Sequence, residues 1–102
     1  MMEDFEFLQY VIEKNGRDKQ FIILIEEMSE LTKEITKVLR YDPECNISLD
    51  MMEEIVDVDI MRMQLRAIMD DGDILIYRDI YNAKMRRLRE RFADGTYERV
   101  NV

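Results

Sequence analysis

An all-α fold is predicted by three features of the sequence. Apolar residues recur at steps of three and four over long stretches. Glycine and proline are scarce, three and one in 102 residues, which leaves little for the many turns of an all-β chain. Charged residues make up 37% and hydrophobic residues 47%, the mixture that amphipathic helices need. The reading is a four-helix bundle forming a single domain over residues 1–102. A chain this short buries roughly 60–70% of its unfolded surface, so packing against other copies would complete its core.

The first helix spans about residues 2–14. Phe5, Leu8, Val11 and Ile12 recur at helical spacing, and Asn15-Gly16 reads as a stop. The second runs from Asp18, a candidate N-cap, to Arg40. Within it Phe21–Ile25 alone could pass for a buried strand. Leu24, Met28, Leu31, Ile35 and Val38 continue it at helical period and decide for a helix. Residues 41–49 form a loop punctuated by Pro43 and Asn46. The third helix runs from Asp50 to Asp70, with Asp50 and Glu53 read as a capping pair. Asp70-Asp71-Gly72-Asp73 is the clearest break. The fourth helix, Asp73 to Phe92, carries Ile74, Tyr77, Tyr81, Met85, Leu88 and Phe92 at helical steps. Asp94-Gly95 ends it, and residues 96–102 form a short tail.

Composition excludes several kinds of chemistry. Lys plus Arg is 15 and Asp plus Glu 23, a net charge of −8, against a general nucleic-acid binder. With no histidine, a Ser-His-Asp or Cys-His centre and histidine metal ligands are ruled out. Cys45 stands alone, so no intramolecular disulfide forms and a reducing cytoplasm is the simplest home. The start MMEDFEF does not resemble a signal peptide. No apolar run approaches the ~18 residues of a membrane span.

Charge placement singles out two acidic pairs. At about 100° per residue, Glu27 and Glu30 share the face of the second helix that carries Ile23, Leu24, Leu31 and Val38. On the third helix Glu54 and Asp57 share the face of Val58, Met61, Leu65 and Ile68. Solvating charge belongs on the opposite side, and unpaired carboxylates on an apolar face are costly to desolvate. One such pair alone is an ordinary solvated Glu-rich face. Two pairs on facing helices can converge on a hard divalent cation held by oxygen alone, such as Mg²⁺, Mn²⁺ or Ca²⁺. The third helix also carries a second apolar stripe, Met52, Val56, Ile60, Met63 and Ala67, for which another subunit is the expected cover. Most of the nine methionines are expected to fill core space.

Glu26-Glu27-Met28-Ser29-Glu30 is EExxE and Glu54-Ile55-Val56-Asp57 is ExxD, with 23 residues between them. Together with their helical surroundings, over residues 18–92, they resemble the MazG-like all-α nucleoside triphosphate pyrophosphohydrolases. Relatives there include dimeric dUTPases, dCTP pyrophosphatases and phosphoribosyl-ATP pyrophosphatase. The resemblance implies a MazG-like bundle completed by oligomerisation to a homodimer or homotetramer. It implies Mg²⁺, or Mn²⁺, held by Glu27, Glu30, Glu54 and Asp57, with Glu26 orienting or deprotonating the attacking water. The implied substrate is a (deoxy)nucleoside triphosphate, cleaved to the monophosphate and pyrophosphate in nucleotide-pool housecleaning. A second reading makes the acidic pairs a structural ion site in a non-catalytic interaction or nucleotide-sensing protein.

Between Lys84 and Arg91 five cations stand against one carboxylate. The family often places a Lys and an Arg on its last helix near the substrate phosphates, which points to Lys84 and Arg87. The competing reading is a basic helix end that complements the macrodipole. Without tryptophan, base stacking would fall to Phe5, Tyr10, Phe21, Tyr77 or Tyr81, each of which also reads as core.

Overall fold

The computed structural model describes residues 3–93. They form four helices: α1 (Asp4–Asn15), α2 (Arg17–Tyr41), α3 (Leu49–Ala67) and α4 (Asp71–Ala93). There is no strand among the described residues, so the chain is all-α and Phe21–Ile25 is helical as its periodicity requires. Met2, the helix stop read at Asp94-Gly95 and the tail 96–102 lie outside the described residues.

The chain divides into two compact units, Met1–Ile68 and Met69–Val102. In the first, α2 packs most extensively on α3, and α1 packs on both. Leu8 and Ile12 of α1, Val38 of α2 and Met51, Met61 and Ala67 of α3 are its buried apolar side chains. The Gln9 Nε2 amide donates to the Ala67 carbonyl at 2.9 Å, tying α1 to the end of α3. The second unit contains α4, none of whose described side chains is buried.

The α1–α2 break falls where the sequence places it. Gly16 adopts φ +90°, a region open to glycine at little cost, and its N–H donates to the Ile12 carbonyl at 2.9 Å. Asp18 is not the N-cap of α2: that place belongs to Gly16, without a side-chain cap. The Asp18 carboxylate instead accepts from the Lys19 N–H at 2.9 Å, inside the first turn.

The start of α3 also differs. Ser48 is the N-cap, its hydroxyl oxygen accepting from the Met51 N–H at 3.1 Å, so Asp50 and Glu53 are not the capping pair. Helix α3 stops at Ala67 rather than Asp70. The hydrogen-bond ladder tightens there, with the Ile68 N–H donating to the Leu65 carbonyl three residues back at 3.3 Å. The reciprocal cap lies two residues further on. The Asp70 carboxylate accepts from the Asp73 N–H at 2.8 Å, and that of Asp73 from the Asp70 N–H at 3.2 Å. This is a capping box in its Asp form, and it starts α4 at Asp71 rather than Asp73.

The α2–α3 loop is organised by Asp42, whose carboxylate oxygens accept from the Glu44 and Asn46 N–H groups at 3.0 Å each. Large apolar side chains remain exposed on both long helices of the first unit: Ile22, Ile25 and Leu39 on α2, and Met52, Val56, Ile60 and Met63 on α3. The stripe on α3 is the second apolar face read from the sequence, with only Ala67 of its five members buried. Among the described residues no helix is long and apolar enough to cross a membrane.

Candidate metal centre

Polar residues of α2 and α3 meet along their seam in antiparallel register. The Gln20 Nε2 amide donates to Gln64 Oε1 at 2.8 Å, with both side chains buried. Seven residues on along α2 and seven back along α3 come Glu27 and Asp57. A further seven bring Glu34 and Asp50. Two turns of a closely packed helix pair repeat after about seven residues, so one register places three polar layers in line.

The middle layer holds the acidic cluster. One carboxylate oxygen each from Glu27, Glu54 and Asp57 lie within 4.8 Å of one another. Glu27 and Glu54 are half-buried and Asp57 is exposed. Loss of solvent raises the Glu27 carboxyl above its ordinary value, and the charges of Asp57, Glu30 and Glu26 raise it further. A hydrogen bond to Asp57 that needs the Glu27 proton acts in the same direction. Glu54 is also raised, first by desolvation and then by the charges of Asp57, Glu27, Glu30 and Glu34. Its Oε2 atom is buried and has no hydrogen-bond partner. A buried acceptor without a donor costs free energy, and a cation would satisfy it.

The donor set fits a hard divalent ion. All three groups are carboxylates, the ligand class preferred by Mg²⁺, Mn²⁺ and Ca²⁺. Ligands at about 2.0–2.6 Å from one ion stand at most about 4–5 Å apart, the span these oxygens occupy.

A cation borders the cluster on the loop side. Lys37 Nζ donates to Glu34 Oε1 at 3.0 Å. The lysine is raised above its ordinary value by that bond and by the charges of Glu34, Asp50 and Glu30, despite an opposing desolvation effect.

Comparison of the chain with family models, with characterised proteins and with solved structures finds no match.

Three of the four residues read as metal ligands come together. Glu30 is exposed and outside the three-oxygen group, yet its charge acts on both Glu27 and Glu54. Glu26 is exposed and beside the cluster in sequence, and its charge acts on Glu27. Lys84 and Arg87 are exposed on α4, in the second compact unit. The amide pair Gln20–Gln64 and the cation Lys37 have no place in the EExxE and ExxD reading. The signal for the amide pair is the seven-residue spacing of Gln20, Glu27 and Glu34, matched by Asp50, Asp57 and Gln64, and that for Lys37 is its place three residues after Glu34.

Proposed function

We propose that the chain is a Mg²⁺-dependent nucleoside triphosphate pyrophosphohydrolase, for which Mn²⁺ is an alternative ion. The observation that carries this reading is the meeting of Glu27, Glu54 and Asp57, with a buried Glu54 oxygen lacking a donor. The resemblance of EExxE and ExxD to the MazG-like motif supplies the reaction type.

In this reading Glu27, Glu54 and Asp57 would hold the ion, with Glu30 the fourth carboxylate that the motif assigns to it. When bound there, the ion would neutralise phosphate charge, polarise phosphorus and lower the pKa of water. Glu26 receives the proton of the attacking water. The water oxygen bonds to the α-phosphorus, the bond from that phosphorus to the bridging oxygen of the β-phosphate breaks, and pyrophosphate leaves with the electron pair. Contact with the leaving phosphates is assigned to Lys84 and Arg87 by the family resemblance alone. Lys37 and Glu34 hold each other beside the acidic cluster, limiting the repulsion that an acidic wall exerts on a triphosphate.

The deciding experiment measures pyrophosphate release from a panel of ribo- and deoxyribonucleoside triphosphates, with and without Mg²⁺. Metal-dependent release of pyrophosphate with the monophosphate is expected. Silence across the panel, with a divalent ion bound tightly, would replace this reading by a structural ion site.

The working assembly is a homodimer or homotetramer of cytoplasmic chains. The reading is supported by Met52, Val56, Ile60 and Met63, each 40–50% exposed on one face of α3. Patches of this kind mark association surfaces. Sedimentation at micromolar concentration is expected to find a species of at least twice 12.4 kDa. A fully active monomer would contradict it.

A further inference from the structure

A cavity of about 290 Å³ opens at the loop end of the α2–α3 pair. Its apolar wall is formed by Val38, Tyr41 and Ile47. Glu34 and Asp50 line it on the side of the acidic cluster. Glu34 lies four residues beyond Glu30, and Asp50 four before Glu54. Each is therefore one helical turn, about 6 Å of rise, from a residue of the acidic pairs. The cavity and the cluster are consecutive stations along one helix pair.

The charges of the lining decide what fits. Glu34, Asp42 and Asp50 stand against Lys37 alone among the described lining residues, and Lys37 is already bonded to Glu34. Such a lining repels phosphate. It accepts hydrogen bonds from amino and hydroxyl groups, and it offers flat apolar contact at Tyr41 and Ile47. The Ser48 hydroxyl, whose oxygen accepts from the Met51 N–H, still has its own proton to donate. The volume lies at the low end of the ~300–1,000 Å³ typical of ligand sites, suited to a base and sugar rather than a whole nucleotide.

We infer that this cavity receives the uncharged nucleoside end of the substrate, with Tyr41 stacking on the base and Asp50 accepting from amino or hydroxyl groups. The inference rests on the pyrophosphohydrolase reading for the position of the phosphates, which lie toward Glu27, Glu54 and Asp57. Charge then sorts the two ends of the ligand along the seam. The acidic cavity takes the neutral end, and the ion-bearing cluster takes the anionic end.

The test uses the full chain with labelled isoleucine and valine methyls, followed by NMR. Adenosine, cytidine, guanosine and uridine are titrated separately, and inorganic tripolyphosphate with Ca²⁺ in parallel. At least one nucleoside is expected to move the Val38 and Ile47 signals, whereas tripolyphosphate leaves them in place. Tyr41→Ala, at a side chain 74% exposed and so removable without unfolding the chain, should weaken the nucleoside response about tenfold. It should also raise KM for the nucleoside triphosphate and leave the affinity for tripolyphosphate, read as its inhibition constant, unchanged. Signals that move equally with tripolyphosphate, or with no nucleoside at all, would overturn the inference. A chain that hydrolyses nothing yet shows the nucleoside response loses the pyrophosphohydrolase reading and keeps the cavity assignment.

Discussion

Glu54→Gln is expected to abolish Mg²⁺-dependent hydrolysis and, without metal, to raise the melting temperature at neutral pH. Both effects come from one carboxylate. Loss of a direct ligand should cost at least the upper end of the ten- to hundredfold typical of residues that merely support ligands. The gain in stability follows from the raised pKa of Glu54 and Glu27. A carboxyl whose pKa is higher folded than unfolded stabilises the fold while it is protonated, below the unfolded value. That contribution is lost as pH rises through the folded value. The metal-free wild type should therefore melt at progressively lower temperature as pH rises above the ordinary glutamate value of 4.5. Glutamine carries no charge at any pH, so the variant should lose part of this slope. It should exceed the wild type at pH 7 and match it more nearly at pH 4. Added Mg²⁺ should raise the wild-type melting temperature and leave the variant unchanged, because a ligand stabilises only the state that binds it. Melting curves at both pH values, with metal and with chelator, check all of this. An active variant with the wild-type response to Mg²⁺ would remove Glu54 from the site.

The placement of Glu27, Glu54 and Asp57 was legible because helical period alone puts each on an apolar face. The antiparallel hairpin then leaves few ways to bury those faces. Helix ends were harder to read, since several acidic residues compete for each cap. Ser48 won over Asp50 because its hydroxyl reaches the Met51 N–H. Gly16 displaced Asp18 because the positive-φ turn, at +90°, sits two residues earlier. Glu30 was indistinguishable from Glu27 by pattern, being three residues along the same face. The actual register brings Glu27, but not Glu30, into the three-oxygen group. The basic run from Lys84 to Arg91 shows the limit of a one-helix argument. Its exposure on α4 is compatible with a phosphate contact and with a solvated helix end alike.

Gln64→Leu is expected to destabilise the fold by about 1–3 kcal/mol, because it strands the buried Gln20 amide that now donates to it. At roughly 4–8 °C per kcal/mol for a domain of this size, the drop should be plain in a melting curve. Gln20→Leu should cost a similar amount, leaving the Gln64 carbonyl without its donor and the Gln64 amide with only the Met61 sulfur, 3.6 Å away. The double substitution should recover much of the loss, since two leucines can pack across the seam and no buried polar atom of this pair is left unpaired. Asn15, which now donates to Gln20 Oε1 at 3.0 Å, is exposed and can turn to water. Non-additivity of this kind, about 0.5–3 kcal/mol for residues in contact, identifies a mutually satisfied pair rather than two independent packing sites. Strictly additive losses would show that the two amides do not depend on each other. The pair would then cease to be the anchor that sets Glu27 opposite Asp57, two turns along the same register.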